Sequence, residues 1–80
     1  MKNNVVHIVF SQGLRLHKII VYELSENNDS LTPIETRKCD FANLIKEAEE
    51  ACKAYETNVV KCNHPEIEKH FRQKGYRILF

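Results

Sequence analysis

The run Val5-Val6-His7-Ile8-Val9-Phe10 constrains this chain more than any other feature. All but one of its residues are β-branched or aromatic, so it reads as a strand that is apolar on both faces. Such a strand belongs inside a sheet rather than at its edge. Ser11, Gln12 and Gly13 then fit a three-residue hairpin loop, with glycine where a positive φ is needed. That loop starts a second strand at Leu14, running to about Leu24, and sets His7 opposite His17. Its even positions, Leu14, Leu16, Lys18, Ile20, Tyr22 and Leu24, are mostly apolar, while Arg15, His17, Ile19, Val21 and Glu23 are mixed. The even set is the expected core face.

Residues 25–30, rich in Asn, Asp and Glu, form a polar turn. Residues 31–39 make a weaker strand with Pro33, Glu35, Arg37 and Lys38, a composition suited to a sheet edge. Asp40 can cap a helix whose apolar residues, Phe41, Leu44, Ile45, Ala48, Ala51, Cys52 and Tyr55, follow i, i+3, i+4, i+7 spacing. On its polar side Glu49 precedes Lys53 in the orientation that supports a helix. Residues 58–62 read as a short strand. Residues 63–74 read as a second helix, capped by Asn63 or His64, with Pro65 in its first turn and Gly75 as its stop. Residues 76–80 close the chain as a fifth strand, and no repeat or linker divides residues 1–80, so a single globular domain is expected.

With 80 residues the chain buries roughly 60 to 65% of its unfolded surface, and stability on the order of 4 to 12 kcal/mol follows. Large multi-site enzymes are excluded. Twelve Lys and Arg against eleven Asp and Glu leave a net charge of +1, so no strong overall field draws in nucleic acid or acidic lipid. The apolar run near the N-terminus is too short for a signal peptide or a membrane span. Cys39, Cys52 and Cys62 match neither a metal knuckle nor a disulfide framework, which suits a reducing, cytoplasmic setting.

The resulting order, βββαβαβ, predicts a mixed five-stranded α/β (α+β-like) sheet with spatial order 3-2-1-4-5 and two helices. Parallel crossovers moving in one direction put both helices on one face. The other face is then left open, carrying Val5, His7, Val9, Arg15, His17, Ile19 and Val21, joined by Lys61 and Arg77. A monomer rarely exposes so much contiguous aliphatic surface without a use for it, so this face is expected to bind a second copy or another protein. Helices on opposite faces would make the same residues ordinary core. His7 beside His17 could be half of a metal site or a pH switch working near about pH 6.5, but no further ligand stands nearby in sequence, and two ordinary strand histidines are the plainer reading.

The element order is that of the ribonuclease H-like core, whose active members hold two divalent metals on carboxylates of the first strand, the first helix and the region of strand four. Residues 5–10 and 58–62 contain no carboxylate, so the resemblance is one of topology. The stretch from Asn58 to Tyr76, above all Phe71-Arg72-Gln73-Lys74-Gly75-Tyr76, is similar to the closing segment of acyl-coenzyme A-dependent N-acetyltransferases of the GNAT type. That resemblance implies a coenzyme A site and a tyrosine general acid. Phe71 occupies the tyrosine position, and the junction Thr36-Arg37-Lys38-Cys39-Asp40-Phe41, where the family binds pyrophosphate, has no glycine and carries Asp40.

Cys62-Asn63-His64, at a strand end before a helix, could hold a reactive thiol, with the helix dipole favouring the thiolate, but a structural thiol beside a capping segment is the plainer reading. A phosphatase loop is excluded by Glu68 where an arginine would cradle phosphate, with Glu66 close by. Lys61, His64, Lys69, His70, Arg72, Lys74 and Arg77 make the last third basic, and Lys69 and Arg72 are candidate anion contacts, set against a solvated helix face. The expected function is a small non-catalytic interaction or regulatory protein, with no cofactor or metal and no membrane segment, binding a protein partner or forming a homodimer. The alternatives are a degenerate acetyltransferase-like, acyl-coenzyme A-binding domain and a nucleic-acid-associated protein using the basic C-terminal third.

Overall fold

The interior strand organises the sheet. In the computed structural model, which describes residues 3–25 and 30–79, β1 (Asn3–Val9) pairs antiparallel with β2 (His17–Leu24) and parallel with β4 (Val59–Cys62). β3 (Leu31–Cys39) adds antiparallel to the outside of β2, and β5 (Arg77–Leu79) adds parallel to β4. The order is β3-β2-β1-β4-β5, as the polarity of the strands predicts. Residues 26–29 of the expected polar turn and Phe80 of the expected fifth strand lie outside the described residues. Ser25 closes that connection by donating its N–H to the Ser30 carbonyl at 3.0 Å.

Helix α1 (Phe41–Ala54) starts where Asp40 accepts the Asn43 N–H at 3.1 Å. It ends in a Schellman motif, with Thr57 N–H on the Cys52 carbonyl and Glu56 N–H on the Lys53 carbonyl. Glu56 occupies the left-handed position at φ 51°, which a glycine usually fills. Helix α2 (Pro65–Gln73) begins at His64, with Pro65 in its first turn, and closes in the same motif around Gly75 at φ 86°. The hydrophobic contact that accompanies a Schellman turn is present, since Tyr76 meets Phe71 edge-on at 4.9 Å.

Two polar side chains hold β4 against β1 at both ends. Thr57 donates its hydroxyl to the Asn4 carbonyl at 2.6 Å and accepts the Val59 N–H at 3.2 Å. At the other end the Asn63 amide accepts the Phe10 N–H at 2.8 Å and donates to the Phe10 carbonyl at 3.0 Å. Asn63 thereby extends the ladder by one step with its side chain and leaves the helix-cap position to His64.

One core serves both helices. Val6 and Ile8 of β1, Ile19 and Val21 of β2, and Val60 of β4 pack with Leu44, Ala48, Ala51 and Cys52 of α1 and Ile67 and Phe71 of α2. Both helices therefore cover the same face. The β1–β2 register differs from the expected one. Ile20, not His17, stands opposite His7, and β2 begins at His17 because Leu14, Arg15 and Leu16 belong to the connection. Gly13 does take a positive φ, 82°, within a turn closed by Leu14 N–H on the Ser11 carbonyl, but three further residues follow before pairing starts. A shift by an odd number exchanges the faces of a strand. The odd positions of β2 are the core face, and His17, Ile19 and Val21 are buried under the helices.

The polar side of α1 also differs in detail. Glu49 accepts from His70 at 2.7 Å and Lys74 at 3.1 Å, tying α1 to α2, in place of the expected pair with Lys53. Replacing the left-handed residue, Glu56→Gly, will relieve backbone strain and stabilise the fold by about 1 kcal/mol, read as a raised urea midpoint with unchanged slope.

Candidate functional site: the open sheet face

The face away from the helices is assembled from the alternate residues of all five strands. Val5, His7 and Val9 come from β1, and Lys18, Ile20, Tyr22 and Leu24 from β2. Thr36 and Lys38 lie on it from β3, with Leu31 and Pro33 beyond the bulge opposite Val21 and Tyr22. Val59 and Lys61 of β4 and Arg77 and Leu79 of β5 complete it. Val5 is only 2% exposed although no helix covers it, while Val9, Ile20, Tyr22, Leu24, Val59 and Leu79 are half-buried. His7 and Tyr22 approach with ring centroids 6.0 Å apart.

The charges on this face are of one sign. Lys18, Lys38, Lys61 and Arg77 lie on it, and among the described residues no Asp or Glu does. None of these four cations forms an ion pair with a described residue. Lys18 and Lys38 are direct cross-strand neighbours, an arrangement that costs stability. The carboxylates that form ion pairs serve the helical side: Arg37 bonds Glu35 at 2.8 Å and reaches Glu47 at 3.6 Å, and Arg72 bonds Glu68 at 2.6 Å. A chain of net charge +1 thus has a cationic face and a remainder that is net negative.

The sequence-derived candidates fall in three places. Val5, His7 and Val9, with Lys61 and Arg77, are on the open face. His17, Ile19 and Val21 are not, because the hairpin register puts them beneath the helices, and Arg15 lies in the β1–β2 connection. His7 and His17 accordingly sit on opposite faces, and the pair that the shorter loop implied does not form. His17, 3% exposed, accepts the Ser11 N–H at its Nδ1 at 3.0 Å, which puts the neutral ring's proton on Nε2. It stacks on Phe10 at 4.6 Å, and Phe10 meets Phe41 and His64 edge-on at 5.6 and 4.7 Å. These four rings close the end of the core where β1 and β4 finish.

Cys62 lies in this corner, yet its contacts are to the backbone of His64. The sulfur accepts the His64 N–H at 3.3 Å and lies 3.5 Å from its carbonyl oxygen, while the imidazole packs on Phe10 and Phe41 and leaves its buried Nδ1 without a partner. Burial pushes the Cys62 thiol up, against a smaller lowering by backbone N–H groups, a direction that suits a structural thiol. Burial likewise pushes Cys39 up and Cys52 up to about 11. All three cysteines are free.

The basic last third is divided. Lys69 and Arg72 are on the helix side, with Arg72 held by Glu68, whereas Lys61 and Arg77 are on the open face. Phe71, in the position that would hold an acetyltransferase tyrosine, is fully buried. Asp40 already takes the N–H at the start of α1 where a pyrophosphate would bind. Among the described residues no three side chains of His, Cys, Asp or Glu converge as a metal site needs, and no helix is long and apolar enough to cross a membrane.

No protein-family model, curated protein or solved structure matches this chain. The open face was missed in part by sequence reasoning, although one signal for it was present. Lys18 falls among the apolar even positions of β2, and a lysine on that side marks it as the solvated face.

His7 supplies a test of the face's electrostatics. Burial first, and the Lys61 charge second, lower its pKa from the ordinary 6.5. The folded chain therefore binds this proton less readily than the unfolded chain, so stability falls as pH drops below 6.5 and levels once folded His7 itself titrates. Urea midpoints from about pH 7 to about pH 5 will show this component in the parent and lack it in His7→Gln. In Lys61→Gln the His7 midpoint, followed by NMR, will rise without reaching 6.5, because burial is the larger cause.

Proposed function

We propose that this chain is a small, non-catalytic, cytoplasmic interaction protein that binds an acidic protein partner through its open sheet face. The observation that carries the reading is the composition of that face, half-buried aliphatic and aromatic side chains ringed by Lys18, Lys38, Lys61 and Arg77 with no described carboxylate among them. Helices supply the cover on one side of the sheet and leave the other for an external surface. Lys18 and Lys38 are like-charged cross-strand neighbours, and a partner's carboxylates would offset their repulsion. A second copy of the same face would set these cations against one another, so the charge pattern favours an acidic partner over a homodimer. Among the described residues of the face a single aromatic, Tyr22, with His7 beside it, offers little stacking surface for nucleic-acid bases, which favours a protein.

A photo-crosslinking residue at position 22, with position 53 on exposed α1 as control, tests this in the cells that make the protein. The expected result is one adduct, from position 22, to a protein of net negative charge, abolished by Ile20→Glu or Lys61→Glu. Adducts to a second copy or to nucleic acid, equal adducts from position 53, or none at all would overturn the reading.

Lys38→Glu separates stability from binding. Removing the repulsion with Lys18 will stabilise the fold by about 0.2 to 1 kcal/mol, while the same change lowers the yield of the position 22 adduct. Thermal melts and adduct yields measured on the same variant check both halves.

A further inference from the structure

One end of the open face carries a cavity. Ser11, Leu14, Arg15, Leu16, Lys18 and Lys38 line a cavity of about 380 Å³, open to solvent, where the β1–β2 connection overhangs the start of β2 and the end of β3. Its volume falls in the range of sites that hold an organic group, on the order of 300 to 1,000 Å³. The two leucines are the most exposed large apolar side chains described, Leu14 at 66% and Leu16 at 53%, although leucine is among the residue types most often buried. Three cations surround them, and none of the three forms an ion pair with a described residue. Lys18 and Lys38 belong both to this cavity and to the open face, so anything lying on the face reaches the cavity without interruption.

We infer that this cavity is the recognition pocket for an acidic peptide segment of the partner, taking one bulky apolar side chain against Leu14 and Leu16 while Arg15, Lys18 and Lys38 hold the flanking carboxylates. The inference rests on the reading of the open face as an acidic-protein surface and names the element that is read there. Its parts are those of an interface hot spot, an apolar anchor in a pocket with charges that set register and orientation. The leucines decide between anionic ligands. Phosphates alone would use the cations and leave Leu14 and Leu16 in water, and nucleic-acid bases would meet no aromatic ring among the residues that line the cavity.

The test uses the purified, nitrogen-15-labelled full chain and a defined probe, the capped peptide Asp-Glu-Leu-Phe-Glu-Asp. Two control peptides replace either the Leu-Phe pair by alanines or the four acids by their amides. The expected result is saturable shifts in the backbone amides of residues 14–18 and 38. Each control peptide, and each of the variants Leu16→Ser and Lys38→Glu, should bind at least about tenfold more weakly. Both substituted side chains are exposed, and an unchanged amide spectrum elsewhere verifies the fold. Lys61→Glu, on the face but outside the cavity, should leave peptide affinity within about twofold. No saturable shift, shifts confined to other residues, equal binding of either control peptide, or saturable binding at residues 14–18 by a thymidylate oligonucleotide or by phosphatidylserine vesicles but not by the peptide would overturn the inference. The outcome is separable from that of the open-face reading. If Ile20→Glu abolishes the position 22 adduct while Leu16→Ser leaves it intact, the pocket assignment fails and the face remains; if Ile20→Glu leaves the adduct intact, the face fails whatever the peptide does.

Discussion

Everything in this fold depends on β1 being paired on both sides, antiparallel to β2 and parallel to β4. A parallel neighbour cannot be reached through a tight turn, so the chain must travel through β3 and α1 before β4 returns beside β1. That detour puts α1 over the sheet, and the next parallel step, β4 to β5, puts α2 beside it on the same face. Thr57 and Asn63 secure the pair where its short strand would otherwise fray, using side chains to complete the ladder at each end. Five strands need cover on two faces, and two helices in a chain of 80 residues supply it on one.

The uncovered face is where fold and proposed function meet. Carboxylates are concentrated where they bind the helical layer together: Glu49 joins α1 to α2 through His70 and Lys74, and Glu47 faces Arg37 of the edge strand. The bonds from His70 and Lys74 hold the Glu49 carboxyl below its ordinary value, so this tie is present at neutral pH and is lost as acid titrates it. The lysines of the sheet have no such role. Lys18 and Lys38 form no ion pair with a described residue, stand on the face away from the helices beside exposed leucines, and repel one another unless something external meets them. The β1–β2 connection strengthens that view, because seven residues are used where three would close a hairpin, and the extra length holds Leu14, Arg15 and Leu16 out over the sheet's end.

The elements themselves were legible from the residues. Asp40 caps α1, Gly75 ends α2, and Pro33 with its charged neighbours marks β3 as an edge, because each of these effects acts within a few residues of backbone. The candidate site was legible only by halves. β1 placed Val5, His7 and Val9 on the open face, as the structure has them, whereas taking the more apolar even positions of β2 as its core face put His17, Ile19 and Val21 there in error. Over 14–24 the even positions are the more apolar set, but Leu14 and Leu16 belong to the connection, and over 17–24 the two sets are nearly balanced. Cys62 and His64 were brought together as their spacing implies, but burial raises the thiol pKa and the imidazole turns to Phe10, facts that spacing does not contain.

Sequence alone determined the order of elements, their caps, and the sequence of strands across the sheet, since these follow from local backbone chemistry and from the polarity of each strand as a whole. Tertiary structure decided the register of β1 on β2, and with it the identity of every β2 residue on the open face. The reason is that two alternating sets of similar hydrophobicity are equivalent to the hairpin. They become different only when α1, from far along the chain, brings Leu44 and Ala48 over the side that carries Ile19 and Val21 and leaves Lys18, Ile20 and Tyr22 outside.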